Sequence, residues 1–383
     1  MKILNICMGA PFTEGYSYQD NLLSEYQHKL GHEVTVLTTT RTRNSEGKII
    51  EIEEETKFLE NGVRLIRVKA GNKLKQFLGY YPEIKKYIRD IHPDMIFVHG
   101  LGTLVMKDAV AYKKNNKNAV IVADNHQDKV NTNIKSIMYI GQLTMFNILW
   151  KYWICYVDRV YGTTAWRKKF AEEAYGITTK KTDILTLGVD TDHLSKDKEG
   201  IRNGIRTELE IEDNSFVYIA GGKINRKKHI LEAIKAFLQI KGKAYFIIFG
   251  PLHEEIKSEF ELLISKSDRI KYIGSIESKK IYQYFYAADF AVFPGFHSVL
   301  WEEAVGCGIP CLFRKYEEKN HTDICGNCIC VENPNVQDIY IHMEKVYNDN
   351  FYYQQLKSNA AIAANSFSYY EVAKKSIECT IVK

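Results

Sequence analysis

Two successive runs of short apolar strands alternating with helices constrain the fold of this chain more than any other feature. In the first, Ile3-Leu4-Asn5-Ile6-Cys7 reads as a strand, a loop holding Gly9, Pro11 and Gly15 follows, and residues 20–30 carry apolar side chains at helical spacing. Gly31 stops that helix, and Val34-Thr35-Val36-Leu37 is the next strand. Strand, helix and strand in this order predict a βαβ unit and a parallel sheet, since parallel neighbours need a crossover connection. Further strands are predicted over 63–68, 95–99, 119–123 and 159–161.

A second series begins with a strand over 216–220 and continues with a helix over 228–238, strands over 245–249 and 270–273, and a helix over 281–287. Strands over 290–293, 310–313 and 328–331 follow; beyond about residue 335 the pattern is helical, and 369 to the end reads as one more amphipathic helix. A chain of 383 residues exceeds what one core usually organises. The expectation is an α/β protein of two Rossmann-like, doubly wound domains facing an interdomain cleft, joined by a hinge in the polar stretch 192–213.

Composition excludes several classes. With 45% apolar and 26% charged residues the chain is neither disordered, fibrous nor a polytopic membrane protein. The net charge of +5 is a mild excess spread along the sequence, which disfavours a nucleic-acid partner. Eight cysteines are too few for a disulfide scaffold, and the first residues read as a strand rather than a secretory leader. A reducing, cytoplasmic location is therefore expected.

Ligands of open α/β sheets bind beyond the carboxyl ends of the strands, so functional residues are sought there. Gly221-Gly222-Lys223-Ile224-Asn225-Arg226-Lys227-Lys228 follows the first strand of the second series: glycines admit a close ligand, and clustered lysines neutralise an anion. A solvated basic turn is the plainer reading, and Walker spacing is absent. Pro294-Gly295-Phe296-His297-Ser298-Val299-Leu300 leaves another strand and enters a short helix bearing Glu302 and Glu303. Backbone N–H groups near Ser298 to Leu300 suit a diphosphate and a carboxylate one turn on suits ribose hydroxyls; the plainer reading of the glutamates is a charged helix face.

In the first series, Asp124-Asn125-His126-Gln127-Asp128 ends a strand; His126 suits a sugar hydrogen bond, while Asp124, His126 and Asp128 are a weak metal set. Asp190-Thr191-Asp192 reads as a turn and Cys325-Gly326-Asn327-Cys328-Ile329-Cys330 as reduced thiols. Residues 134–157 form a single helix apolar over most of its circumference, read as a buried helix of the first domain, with peripheral membrane or lipid-acceptor contact as the functional alternative.

Taken in order, the early glycine loop, Gly-His-Glu-Val-Thr-Val at 31–36, Pro93-Asp94-Met95-Ile96 with His99-Gly100, Leu187-Gly188-Val189-Asp190, the Gly-Lys-Ile stretch ending at Lys228, and Glu303-Ala304-Val305-Gly306-Cys307-Gly308-Ile309-Pro310 cover most of the chain. Here the chain resembles the family-4 retaining glycosyltransferases of the GT-B fold, the group 1 glycosyl transferases. The resemblance implies an acceptor-side domain over 1–200, a nucleotide-sugar domain over 201–366, and a helix over 367–383 that crosses back to the first. It implies transfer of a sugar from a nucleoside diphosphate donor, UDP- or GDP-linked, to a hydroxyl of a glycan, glycolipid or surface-polysaccharide precursor. Retention of anomeric configuration follows, with no metal or other cofactor and a location in the cytoplasm or at the inner face of the membrane.

By the same resemblance Lys228 holds the donor diphosphate, with Lys223 where the family usually has arginine; lysine keeps the charge and loses the bidentate fork. Glu303 matches the ribose-binding glutamate, His126 the histidine near the donor sugar, and Gly15 the glycine loop at sugar and phosphate. Gly222, Gly295, His297, Ser298, Val299, Leu300 and Ile276 complete the expected donor-binding set. One departure stands out. The family's Glu-x7-Glu motif places its first glutamate at 295, where this chain has Gly295, so that His297 either replaces the lost contacts or they are absent. A non-catalytic partner of the same fold and a sugar-nucleotide epimerase are the two alternatives.

Overall fold

The structure is a computed structural model, which describes residues 1–44, 48–130, 132, 136–316 and 319–381. It comprises two compact units, Met1–Thr186 with the segment from Tyr369, and Leu187–Ser368.

Unit 1 contains strands β1 (Lys2–Cys7), β2 (Glu33–Thr39), β3 (Arg41–Arg43), β4 (Ile49–Glu51), β5 (Glu55–Phe58), β6 (Arg64–Val68), β7 (Met95–His99), β8 (Val120–Asn125), β9 (Arg159–Gly162) and β10 (Thr182–Ile184). Its helices are α1 (Gln19–Lys29), α2 (Lys73–Leu78), α3 (Ile84–Ile91), α4 (Val105–Asn115), α5 (Ile137–Trp153) and α6 (Ala165–Tyr175). The main sheet runs β10-β9-β8-β7-β1-β2-β6-β5, parallel except for the antiparallel edge strand β5; β3 and β4 form a separate hairpin. Strands such as Ile96-Phe97-Val98 and Ile121-Val122-Ala123 have no solvent exposure, as the central strands of a sheet covered on both faces must. Strand order reverses at β1, which lies between β2 and β7, so the ligand-binding end is the carboxyl edge of those strands.

The predicted burial of α5 is only half correct: Phe146, Trp150 and Trp153 face the core, but the opposite side is exposed. Residues 131 and 133–135, where that helix was expected to begin, lie outside the described residues.

Unit 2 contains β11 (Phe216–Gly221), β12 (Ala244–Phe249), β13 (Ile270–Tyr272), β14 (Phe290–Phe293), β15 (Cys311–Arg314) and β16 (Cys328–Val331). Its helices are α7 (Lys198–Glu208), α8 (Ile230–Phe237), α9 (Lys257–Ile264), α10 (Ile281–Ala287), α11 (Leu300–Gly306), α12 (Val336–Asn348) and α13 (Asn350–Ala364). The sheet is wholly parallel in the order β13-β12-β11-β14-β15-β16, and its order reverses between β11 and β14.

Half of the polar stretch 192–213 is the helix α7, the whole stretch lies within unit 2 rather than at a hinge between units, and the expected limit at residue 200 falls inside that helix. Arg202 and Arg206 reach the two oxygens of Asp289 at 2.6 and 2.8 Å, and their remaining N–H groups donate to carbonyls at Tyr286, Ala287, Ala288 and Ser215. This segment is polar because it fastens a helix through charged hydrogen bonds. The last helix, α14 (Tyr369–Ile381), packs on α1 within unit 1: the Tyr26 and Tyr369 rings stack 6.0 Å apart, and Gln27 Nε2 donates to Ser376 Oγ at 3.0 Å.

Candidate active site

At the carboxyl edge of unit 1, the parallel register sets His99 at the end of β7 directly beside Asp124 on β8. Asp124 is fully buried; it accepts from the Gly100 N–H at 3.0 Å, and His99 Nδ1 and His126 Nε2 lie 2.9 and 3.2 Å from its Oδ2. Burial opposes ionisation, but the two imidazoles hold this carboxyl well below the usual range. Burial likewise works against a charged His99, yet Cys7, Asp124 and Asp20 together raise it well above an ordinary histidine. His126 is therefore oriented by a permanent carboxylate, and its ring is partly exposed.

Asp128 faces Arg167 at 3.2 Å, so the Asp124, His126 and Asp128 metal set is not assembled. The cluster that does assemble is His99, Asp124 and His126. Gly15 has φ +75° and open space where a side chain would lie. Its loop is tethered by buried Arg67, which donates to Phe12 O at 3.1 Å and pairs with Glu14.

In unit 2 the turns after β11 and β14 flank the point where strand order reverses, and they are laced together. Phe296 N–H donates to Lys227 O at 3.0 Å, and Lys228 Nζ donates to Phe296 O at 2.6 Å. Because Lys228 meets a carbonyl rather than a carboxylate there, that bond leaves its charge unneutralised. Burial pushes its pKa down to about 8. The next residue, His229, sits at φ 53°, a left-handed conformation uncommon outside glycine, and opens α8 two residues later than expected. Lys223 is exposed on the same turn. Gly222 has φ +95°, and a Cβ on it would lie 2.9 Å from Leu300, so this turn and the start of α11 touch only because the residue is glycine.

Gly295 is required for a different reason. A Cβ there would stand 2.3 Å from Lys228 Cα and 2.4 Å from its carbonyl carbon and oxygen. The space a side chain at this position would need is filled by the backbone of Lys228. His297 does not turn toward an open site either: its ring is buried, with Nε2 at 2.8 Å from Glu302 Oε1, and its N–H donates to Tyr316 OH. His321 Nε2 reaches the same oxygen at 2.7 Å. Against the cost of burial, these two histidines draw Glu302 down to about 2.

The neighbouring Glu303 moves the other way. Burial, aided by the charges of Glu302 and Asp190, pushes it up to about 8. Neither glutamate lies on an ordinary charged helix face, since both are buried. Among the described residues, Glu303 Oε2 and Ser298 Oγ are buried without a hydrogen-bond partner. These are the polar atoms a ligand would satisfy. Val299 leads into α11 with Leu300, and the first turns of that helix close through Trp301 N to Ser298 O and Glu303 N to Val299 O. Ile276 is half-buried beyond β13, at the same edge of the sheet.

Sequence reasoning assigned no role to His99, Asp20 or Cys7, and it missed His321 and Tyr316. His99 ends a predicted strand, a signal that was present; His321 lies in a loop and meets Glu302 only through the tertiary fold. The His297, Glu302 and His321 atoms, like those of His99, Asp124 and His126, are close enough to share a cation, but within each set hydrogen bonds already join them.

Two family models match the chain: Glycosyltransferase Family 4 over residues 21–193, and Glycosyl transferases group 1 over residues 202–363. The chain belongs to this glycosyltransferase family. Comparison with curated proteins finds no match. The HepE protein of Anabaena solved with UDP superposes with a TM-score of 0.73 at 15% identity, each chain covered completely. A glycosyltransferase from Rickettsia africae gives 0.71 at 14% identity, covering 99% of this chain and 97% of that one. These likenesses show the GT-B fold of two α/β domains. A putative UDP-N-acetylglucosamine 2-epimerase from Listeria monocytogenes gives 0.59 at 13% identity, covering 98% of this chain and 94% of that one.

Proposed function

We propose that the chain moves a sugar from a nucleoside diphosphate donor, UDP- or GDP-linked, to a hydroxyl of a glycan, glycolipid or surface-polysaccharide precursor, with retention and without a metal. The observation that carries the reading is Lys228: a half-buried ammonium beside the strand-order reversal of unit 2, bonded among the described residues to the Phe296 carbonyl and to no carboxylate, suits an incoming diphosphate. UDP in the similarly folded HepE structure supports a nucleotide donor.

In this mechanism Lys228 and Lys223 take up the negative charge that develops on the departing diphosphate, the electrostatic effect that usually contributes most to such a step. The acceptor oxygen bonds to the anomeric carbon on the face the diphosphate leaves, and its proton passes to a phosphate oxygen, so no protein nucleophile is needed. Ser298 and protonated Glu303 offer hydrogen bonds to diphosphate and ribose. His126, held by Asp124, takes the donor-sugar contact that the family resemblance implies. Gly15 and Ile276 complete the donor contacts. The reaction is assigned to the cytoplasm or its membrane face.

A non-catalytic binding role is favoured by one observation, the loss of the first glutamate with its space filled by Lys228. Nucleotide release from UDP- and GDP-sugars, with and without glycan or glycolipid acceptors and with EDTA, tests the proposal. Acceptor-dependent release that survives EDTA is expected. Binding without turnover would establish the non-catalytic role, and donor conversion without acceptor would establish an epimerase.

A further inference from the structure

Helix α5 presents to solvent the kind of surface that soluble helices normally bury. Ile137, Gly141, Thr144, Ile148 and Tyr152 recur at helical spacing on its outer side, flanked by Met138 and Ile140. Ile137 is 87% exposed, Tyr152 71%, Met138 66%, Ile148 51% and Ile140 49%. The one polar residue in the middle of this face, Thr144, satisfies its hydroxyl on Ile140 O at 2.9 Å. The adjoining α2, held to α5 by Gln142 Nε2 donating to Phe77 O at 2.6 Å, exposes Leu74 between Lys73 and Lys75.

Neither helix contains an aspartate or glutamate; their charged residues are Lys73, Lys75 and Lys151. No helix among the described residues is long and apolar enough to cross a membrane. A contiguous apolar face of this size marks an interaction site. Its charge selects the occupant: a second copy docked face to face would oppose lysine to lysine, whereas anionic headgroups complement them.

We propose that α5 and α2 dock unit 1 onto an anionic bilayer surface, the aliphatic side chains and Tyr152 entering the boundary between headgroups and acyl chains while the three lysines meet the headgroups. This surface is distinct from the residues assigned to donor binding, and its role does not depend on theirs.

Co-sedimentation with vesicles of phosphatidylcholine alone, and of phosphatidylcholine with phosphatidylglycerol, tests the assignment. The full chain should pellet with the anionic vesicles, far less with the neutral ones, and less in high salt. Each lysine near an anionic surface contributes roughly fivefold to partitioning, so the combined Lys73→Gln, Lys75→Gln and Lys151→Gln variant should partition roughly a hundredfold more weakly. The Ile137→Glu, Ile148→Glu variant should lose binding to both vesicle types while keeping the wild-type near-ultraviolet dichroism and UDP-induced thermal shift. Wild-type protein that stays in the supernatant with anionic vesicles, or folded variants that pellet as wild type does, would overturn the proposal. So would a lipid-free dimer dissolved by the isoleucine variant, which would assign the face to a second copy. Failure of UDP to shift the wild type would count against the donor site alone and leave the vesicle result standing.

Discussion

At the scale of single residues, the site is defined by two groups whose burial brings their titrations close to neutrality. Lys228 titrates near 8 in the free protein, so it is charged below that pH and loses its proton above it. Nucleoside diphosphate affinity should decline above pH 8; in calorimetric titrations Lys228→Arg should reduce that decline, since arginine stays charged, and leave the part that ionisation of Glu303 supplies. Glu303 has a folded-state pKa raised to about 8, above its ordinary 4.5. The folded state then binds more protons than the unfolded state between these values, so the stability contribution of Glu303 falls as pH rises through the window. Glu303→Gln should therefore match wild type in melting temperature near pH 4, gain progressively toward pH 8, and keep a constant advantage above it. A uniform shift at every pH would show that the carboxyl is not held neutral.

At the scale of elements, two contacts hold the turn after β14 in place. Gly295 permits the β11 and β14 turns to touch, and Glu302 draws together His297 from one loop and His321 from another. Gly295→Ala forces a Cβ into the Lys228 backbone, an overpacking expected to cost about 1–3 kcal/mol in denaturant melts and to weaken donor binding by displacing the lysine. Glu302→Ala leaves two buried histidines without their carboxylate and should cost about 3–5 kcal/mol. Because Glu302 is held at about 2, its contribution is present above pH 4.5 and disappears as pH falls toward 2, where wild type and variant melts should converge.

These elements also show what local pattern can and cannot reveal. Strands such as 95–99 and 290–293 were legible because buried parallel strands are continuous apolar runs between glycine and polar breaks. Helix α7 was read as a linker because what fixes it is a pair of arginines on Asp289, far along the chain. The turn 294–300 was recognised as a site, whereas the reason for its glycine was not, since a steric demand from Lys228 leaves no periodic trace.

For the whole molecule, two doubly wound units followed from the repeated alternation and the chain length, and the unit boundaries did not. The break lies at 186–187 rather than 200, whereas the last helix belongs to unit 1, the domain to which the resemblance has it cross back, through Tyr369 and Ser376. The outward apolar face of α5 was visible as composition, but only the fold reveals which side of the helix is covered. Family membership supports glycosyl transfer and leaves donor and acceptor to the site. The proposed chemistry centres on Lys228, whose charge stabilises the departing diphosphate. The direct measurement is kcat/KM for acceptor-dependent nucleotide release by wild type and Lys228→Ala, with folding of the variant verified by its melt. A fall of about a hundredfold or more is predicted, the size seen when one preorganised donor to a developing oxyanion is removed; an unchanged kcat/KM would contradict the account.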